Sequence, residues 1–238
     1  MFLGGANFAL HFTAVRSKSL KSYYRDSEFL LYVSILTIIS VFSIYTLYMQ
    51  SEYHDLADAF REGVFQAVSI ASTSGFVTAD YSSWPVFIPV LLLIASLVGG
   101  CAGSTAGGIK VIRLLLLIKQ GQREIIRLIH PNAQVTVKVG KQPVDNSIID
   151  AVWGFFAAYV ALFVVMMLVL MFNGLDQITA FSAVAATISN TGPGLGEVFY
   201  NYASLSEFNK LLLCFSMLLG RLEIFTLLVL FMPAFWRK

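Results

Sequence analysis

The chain has 238 residues, of which 57% are hydrophobic, 14% aromatic and 13% charged, where a soluble domain carries roughly 25% charged residues. With a mean hydropathy of +0.75, a soluble domain of this size would lack the charge to cover its surface, so the composition places the chain in a membrane. A net charge of +2 gives no footprint for nucleic acid, and two cysteines in apolar runs, Cys101 and Cys214, exclude a disulfide framework and a four-thiolate metal site.

Residues 1–13 read as the tail of a preceding membrane helix; no basic leader precedes their apolar run, which argues against a signal peptide. Residues 29–49 are long and apolar enough to cross a hydrocarbon core of roughly 30 Å. Residues 56–72 are amphipathic but too short to span, and they run into the turn Ser72-Thr73-Ser74-Gly75-Phe76. Residues 86–118 are long enough, yet residues 99–108 hold five glycines, which oppose a uniform helix. Residues 135–140 alternate apolar and polar, which fits either a short hairpin that docks a soluble partner or a solvated loop. The spans 148–172 and 211–235 follow, separated by a second short amphipathic segment, 175–189, that enters Ser189-Asn190-Thr191-Gly192-Pro193. The expected organisation is the end of a repeat with a linker (1–27), a pore repeat with a broken second span (28–128), a loop (129–147) and a second pore repeat (148–238).

Aligning Gly75 with Gly192 sets an offset of 117, which also pairs Ser72 with Ser189, Asp80 with Glu197 and Gly103 with Gly220. Both units run span, half-helix, glycine turn, acidic residue, span. Charge then orients them. Segments 16–28 and 110–146, with Arg237 and Lys238 at the C-terminus, hold thirteen of the sixteen Lys and Arg residues, Lys141 among them. The opposite side has Arg61 and Lys210 against eight acidic residues, including Glu52, Asp55, Asp58 and Glu62. The positive-inside rule puts the basic segments in the cytoplasm and the half-helices on the outer face. Both units start from the cytoplasm, so the repeats are parallel rather than inverted.

Irregular backbone at membrane depth survives only where it is buried in protein or lines a wet cavity. A half-helix whose C-terminal end points into the membrane aims its negative dipole end there, favouring a cation. Carbonyl oxygens of the following turn can replace a cation's hydration shell, and glycine permits the backbone angles such a turn needs. Asp80 and Glu197 would concentrate cations at the outer mouth. The plainer reading makes Gly75 and Gly192 ordinary loop glycines. In the glycine run, Gly99, Gly103 and Gly107 have small-xxx-small spacing, a helix-packing device; a phosphate loop is rejected because no Lys-Ser/Thr pair closes it. The functional reading is a broken helix whose loop obstructs the pore. Arg221 lies near the middle of the last span, with Ser104 as its repeat equivalent; its guanidinium would bond to loop carbonyls or form a structural ion pair. Glu223, two residues on, does not face it on a helix.

The run from Phe76 to Pro85, the run from Gly99 through Ile109 to Arg113, Asn190-Thr-Gly-Pro-Gly-Leu-Gly-Glu197 and Gly220-Arg-Leu-Glu-Ile-Phe-Thr226 strongly resemble the bacterial TrkH subunits of the Trk/Ktr/HKT potassium-uptake superfamily. The resemblance runs the length of the chain. It implies an all-α polytopic membrane protein of four tandem parallel span–re-entrant pore helix–span repeats around a central ion pore, of which this chain holds the third and fourth. It also implies a homodimer in the bacterial inner membrane, controlled by a cytoplasmic TrkA-type subunit that binds NAD and ATP; no nucleotide site or other cofactor is expected here. Carried over residue by residue, Gly75 and Gly192, with the carbonyls of Thr73, Ser74, Asn190 and Thr191, would form two quarters of a potassium filter. Potassium is the only metal expected. Gly103, Ser104, Thr105, Ala106, Gly107 and Gly108 would be an intramembrane gating loop, held by Arg221.

The leading expectation is therefore passive potassium uptake through carbonyl sites. An ion-coupled symporter would need intramembrane carboxylates, and only Glu223 lies deep in an expected span. A non-conducting half-subunit is the third reading. No nucleophile–base or metal constellation supports an enzyme.

Overall fold

The computed structural model describes residues 1–50, 52–140, 142–230 and 232–236, without the side chains of residues 228 and 234. Lys141, Arg237 and Lys238, three of the basic residues used to orient the chain, lie outside the described residues. The chain runs through α1 (Phe8–Ser17), α2 (Lys21–Arg25), α3 (Ser27–Met49), α4 (Leu56–Ala71), α5 (Phe87–Val98), α6 (Val111–Ile129), a two-stranded hairpin of β1 (Lys138–Val139) and β2 (Gln142–Pro143), α7 (Asn146–Phe172), α8 (Gln177–Ile188), α9 (Glu207–Arg221), α10 (Ile224–Leu230) and α11 (Pro233–Trp236).

Helix starts follow from capping chemistry. Asp26 and Asp145 cap the long helices α3 and α7, accepting from Phe29 N at 2.7 Å and Ser147 N at 3.0 Å. Asp55 and Asp176 cap the short helices α4 and α8 in the same way. Each carboxylate satisfies amides that have no partner within the helix and complements the positive end of its dipole. Bonding to Thr179, and to Ser147 for Asp145, holds both carboxyls below the usual carboxylate range.

The 23 residues of α3 and 27 of α7 are long and apolar enough to cross a membrane. Their outer faces keep Ile38, Phe42, Val165 and Phe172 exposed, as a lipid-facing surface requires. The 16 residues of α4 and 12 of α8 reach about 24 and 18 Å at 1.5 Å per residue, short of a crossing. In each unit the short helix packs on the long one before it and the helix after it: α3 on α4 and α4 on α5, then α7 on α8 and α8 on α9. The core of the first unit continues into the second through Ala185, Leu195 and Phe199.

Three sequence expectations change. The expected span 211–235 is broken: α9 ends at Arg221, Glu223 takes a left-handed conformation with φ 57°, and α10 begins at Ile224. It thus matches its counterpart in the first repeat, 86–118, which breaks between α5 and α6. The glycine run is not helical at the small-xxx-small positions either. Gly99 and Gly103 have φ of 73° and 67°, so their role is turning the chain. The hairpin also lies later than the alternating stretch 135–140, turning at Gly140 with φ 59°. Val137, Leu116, Ile149 and Val152 form a small core that fixes it to α6 and α7.

Candidate functional site

The two turns after α4 and α8 repeat bond for bond. Thr73 and Asn190 are left-handed at φ 53° and 55°, and Gly75 and Gly192 follow at 72° and 105°. Thr73 N and Asn190 N each donate at 3.0 Å to the carbonyl three residues back. Ser74 N reaches Ser69 O at 2.8 Å, and Thr191 N reaches Ala186 O at 2.9 Å. Side chains repeat as well: Ser72 Oγ lies 3.0 Å from Ser74 Oγ, and Ser189 Oγ 2.9 Å from Thr191 Oγ1. These bonds consume the N–H groups and turn the chain back. Among the described residues, the carbonyls of Thr73, Ser74, Asn190 and Thr191 accept no hydrogen bond from the protein. Four unpaired carbonyls at the negative ends of two helices form a cation-favouring surface.

The turns touch each other. A Cβ at Gly75 would run into the Thr191 carbonyl oxygen and come 3.2 Å from the Pro193 ring. Beyond them, Gln66 Nε2 donates to Ala79 O at 3.2 Å, and Thr78 Oγ1 to the buried Glu62 at 2.6 Å. Asp80 accepts from the Ser82 hydroxyl, from Ser82 N at 3.0 Å and from Tyr200 Oη, across the repeat boundary, at 3.1 Å. Those bonds, the Ser82 hydroxyl foremost, hold the Asp80 carboxyl below the ordinary carboxylate range. Glu197 lies exposed in the turn Gly196–Val198. Glu62, counted in the sequence only as one of the outer-side charges, and Gln66, which sequence reasoning passed over, thus shape the segment between the first turn and Asp80.

The glycine loop between α5 and α6 sits against the ends of both short helices. Gly107 N donates to Thr73 Oγ1 at 2.7 Å, while a Cβ at Gly107 would overlap the Ser189 carbonyl. Gly220 makes the same close approach to the Ile188 carbonyl. Three cationic groups bind the loop's own carbonyls: Arg221 Nη1 to Thr105 O at 3.3 Å, Lys110 Nζ to Ala106 O, and Arg113 Nη1 to Ile109 O at 3.4 Å. Ser104 bonds to Cys101 O at 2.6 Å. A cavity of about 260 Å³ lies beside the loop and is bounded by Gly103, Ser104, Gly108, Tyr159, Arg221 and Glu223 among others. Glu223 pairs with Arg113 at 2.6 Å, and Arg113 also stacks 4.1 Å over the Phe155 ring.

Sequence reasoning singled out Glu223 as the one carboxylate deep in a span; it sits at the break between α9 and α10 with its side chain half exposed, whereas Glu28, at the foot of α3, is buried. Glu28 Oε1 accepts from Ala102 N at 2.6 Å and from Ile112 N at 3.2 Å, joining both ends of the loop. It supplies the cap that Lys110, at the start of α6, lacks. Nothing local in the sequence marks this pairing, because 74 and 84 residues separate the partners. Among the described residues no group of three His, Cys, Asp or Glu side chains could hold a metal ion.

The family described as "TrkH: Cation transport protein" matches residues 1–238. The chain belongs to the TrkH family. Trk system potassium uptake protein TrkH of Halomonas elongata is 49% identical over 238 residues, covering 100% of this chain and 49% of that protein. The TrkH protein of Salmonella typhimurium is 47% identical over the same length, again covering 100% of this chain and 49% of that one. The crystal structure of the potassium transporter TrkH from Vibrio parahaemolyticus superposes with a TM-score of 0.94 at 49% identity, covering 99% of this chain and 51% of that one. The chain therefore spans about half the length of the TrkH proteins it matches, and its fold is that of an all-α membrane protein of this family.

Proposed function

We propose that this chain contributes to potassium uptake across the bacterial inner membrane, supplying two quarters of a carbonyl filter and a loop that gates it. The observation that carries this reading is the pair of matched turns, whose four carbonyls accept no bond from the protein and lie at the C-terminal ends of α4 and α8. The names of its relatives, potassium uptake proteins, supply the ion. The rest of the filter would come from two further repeats of the same kind, since the matched relatives are about twice as long.

In this reading a potassium ion exchanges hydration water for the carbonyls of Thr73, Ser74, Asn190 and Thr191, with Asp80 and Glu197 drawing cations to the mouth. The loop of Gly103 to Gly108 crosses the ion's path beneath the filter, and Arg221 and Lys110 hold its carbonyls. The basic segments face the cytoplasm, where a TrkA-type regulator carrying NAD or ATP would dock on the hairpin and α6. A homodimer is the expected assembly. An ion-coupled symporter is less well supported, because Glu28, Glu62 and Glu223 are each committed to protein partners.

The test is rescue of a potassium-uptake-deficient bacterium at low potassium by the full-length protein containing this chain. Gly192→Ser should let sodium compete and reduce rescue at equal membrane expression. Rescue and selectivity unaffected by Gly192→Ser would overturn the filter assignment.

A further inference from the structure

The two matched turns are held in place differently. Gly75 is wedged by its neighbours, with the Thr191 carbonyl and the Pro193 ring against it. Gly192 takes the second turn at φ 105°. A glycine's torsions are soft, and its carbonyl can swing. One contact opposes that swing. Tyr202 Oη donates to the Gly192 carbonyl at 2.7 Å, from a ring packed against the core of the second unit.

Resting on the filter reading above, we propose that Tyr202 is a positioning residue: its hydroxyl fixes the Gly192 carbonyl and so sets cation discrimination at the second turn. The position 117 residues earlier is Pro85, which carries no side-chain donor, so the restraint belongs to the second turn alone. Two neighbouring tyrosines brace the same region: Tyr81 Oη donates to Gly194 O at 3.4 Å, and Tyr200 Oη reaches Asp80. The Gly192 carbonyl has two lone pairs, and Tyr202 occupies one. Fixing that carbonyl holds the turn that carries the Asn190 and Thr191 carbonyls, and so the size of the cage they offer, which separates ions of different radius.

The experiment measures initial uptake of potassium, rubidium and sodium by the full-length protein in a strain lacking other potassium uptake. The ratio of ions cancels the amount of protein in the membrane. Tyr202→Phe, which removes only the hydroxyl, should lower potassium-over-sodium discrimination about three- to tenfold, the range for one lost neutral hydrogen bond. Tyr202→Ala and Gly192→Ser are run beside it. A ratio unchanged by Tyr202→Phe but shifted by Tyr202→Ala would reduce the residue to ring packing and overturn the proposal. A ratio shifted by Gly192→Ser alone would overturn it while leaving the filter reading intact. Indifference to all three would remove both.

Discussion

Gly75 and Gly192 take the same step in two matched turns. Both have positive φ, 72° and 105°, so a side chain brings left-handed strain of about 1–2 kcal/mol at either position. At Gly75 the new Cβ also strikes the Thr191 carbonyl, a backbone atom that cannot swing aside like the end of a side chain. Overpacking of that kind adds about 1–3 kcal/mol. Gly75→Ala should therefore lower the thermal midpoint of the purified full-length protein clearly. An unchanged midpoint would mean that the first turn does not pack on Thr191 as described. Gly75 is thus needed for space as well as for its torsion angle. Sequence alone paired these glycines but gave them one role, because the clash lies between residues 116 apart.

Among the elements, the short helices were readable because their amphipathic length, capping aspartates and glycine turns are local signals. The expected segments 56–72 and 175–189 became Leu56–Ala71 and Gln177–Ile188, within the range by which helix ends vary. The break in the last span was not readable in the same way. It depends on Glu223 turning out of helical geometry to reach Arg113 on another element, whereas the earlier break announces itself in five glycines. The start of α6 shows the same limit. Lys110 is a poor cap, and the group that replaces it, Glu28, comes from the foot of α3. Two charge-assisted bonds to Ala102 N and Ile112 N are each worth about 1.5–3 kcal/mol. Glu28→Ala should thus free the loop, seen as faster amide hydrogen exchange across residues 99–113 with little change in α7. Glu28→Gln keeps an acceptor oxygen and should have a smaller effect. Unchanged exchange in Glu28→Ala would show that the loop is held without this carboxylate.

At the scale of the molecule, several of the polar contacts between the two units, among the described residues, lie around the loop and the turns. The Tyr200–Asp80 bond joins the units near the turns, and the Arg221–Thr105 bond joins α9 to the loop. The Arg113–Glu223 pair joins the first turn of α6 to the break between α9 and α10. Because α6 follows the loop directly and shares a small core with the hairpin, any displacement of the hairpin bears on the loop through this helix. Arg113–Glu223 then acts as a latch that resists movement of α6 relative to the second unit. Its strength is bounded by the exposure of Glu223, 55% at the side chain, which limits a pair of this kind to about 0.2–1 kcal/mol. Arg113→Ala also loses the contact with Phe155, so a single substitution overstates the pair. A double-mutant cycle of Arg113→Ala and Glu223→Ala on the thermal midpoint isolates it. The double variant should be less destabilised than the sum of the singles, and the difference should shrink as salt is raised, because screening weakens a half-exposed pair. Strict additivity at low salt would leave the two units joined at this point by packing alone.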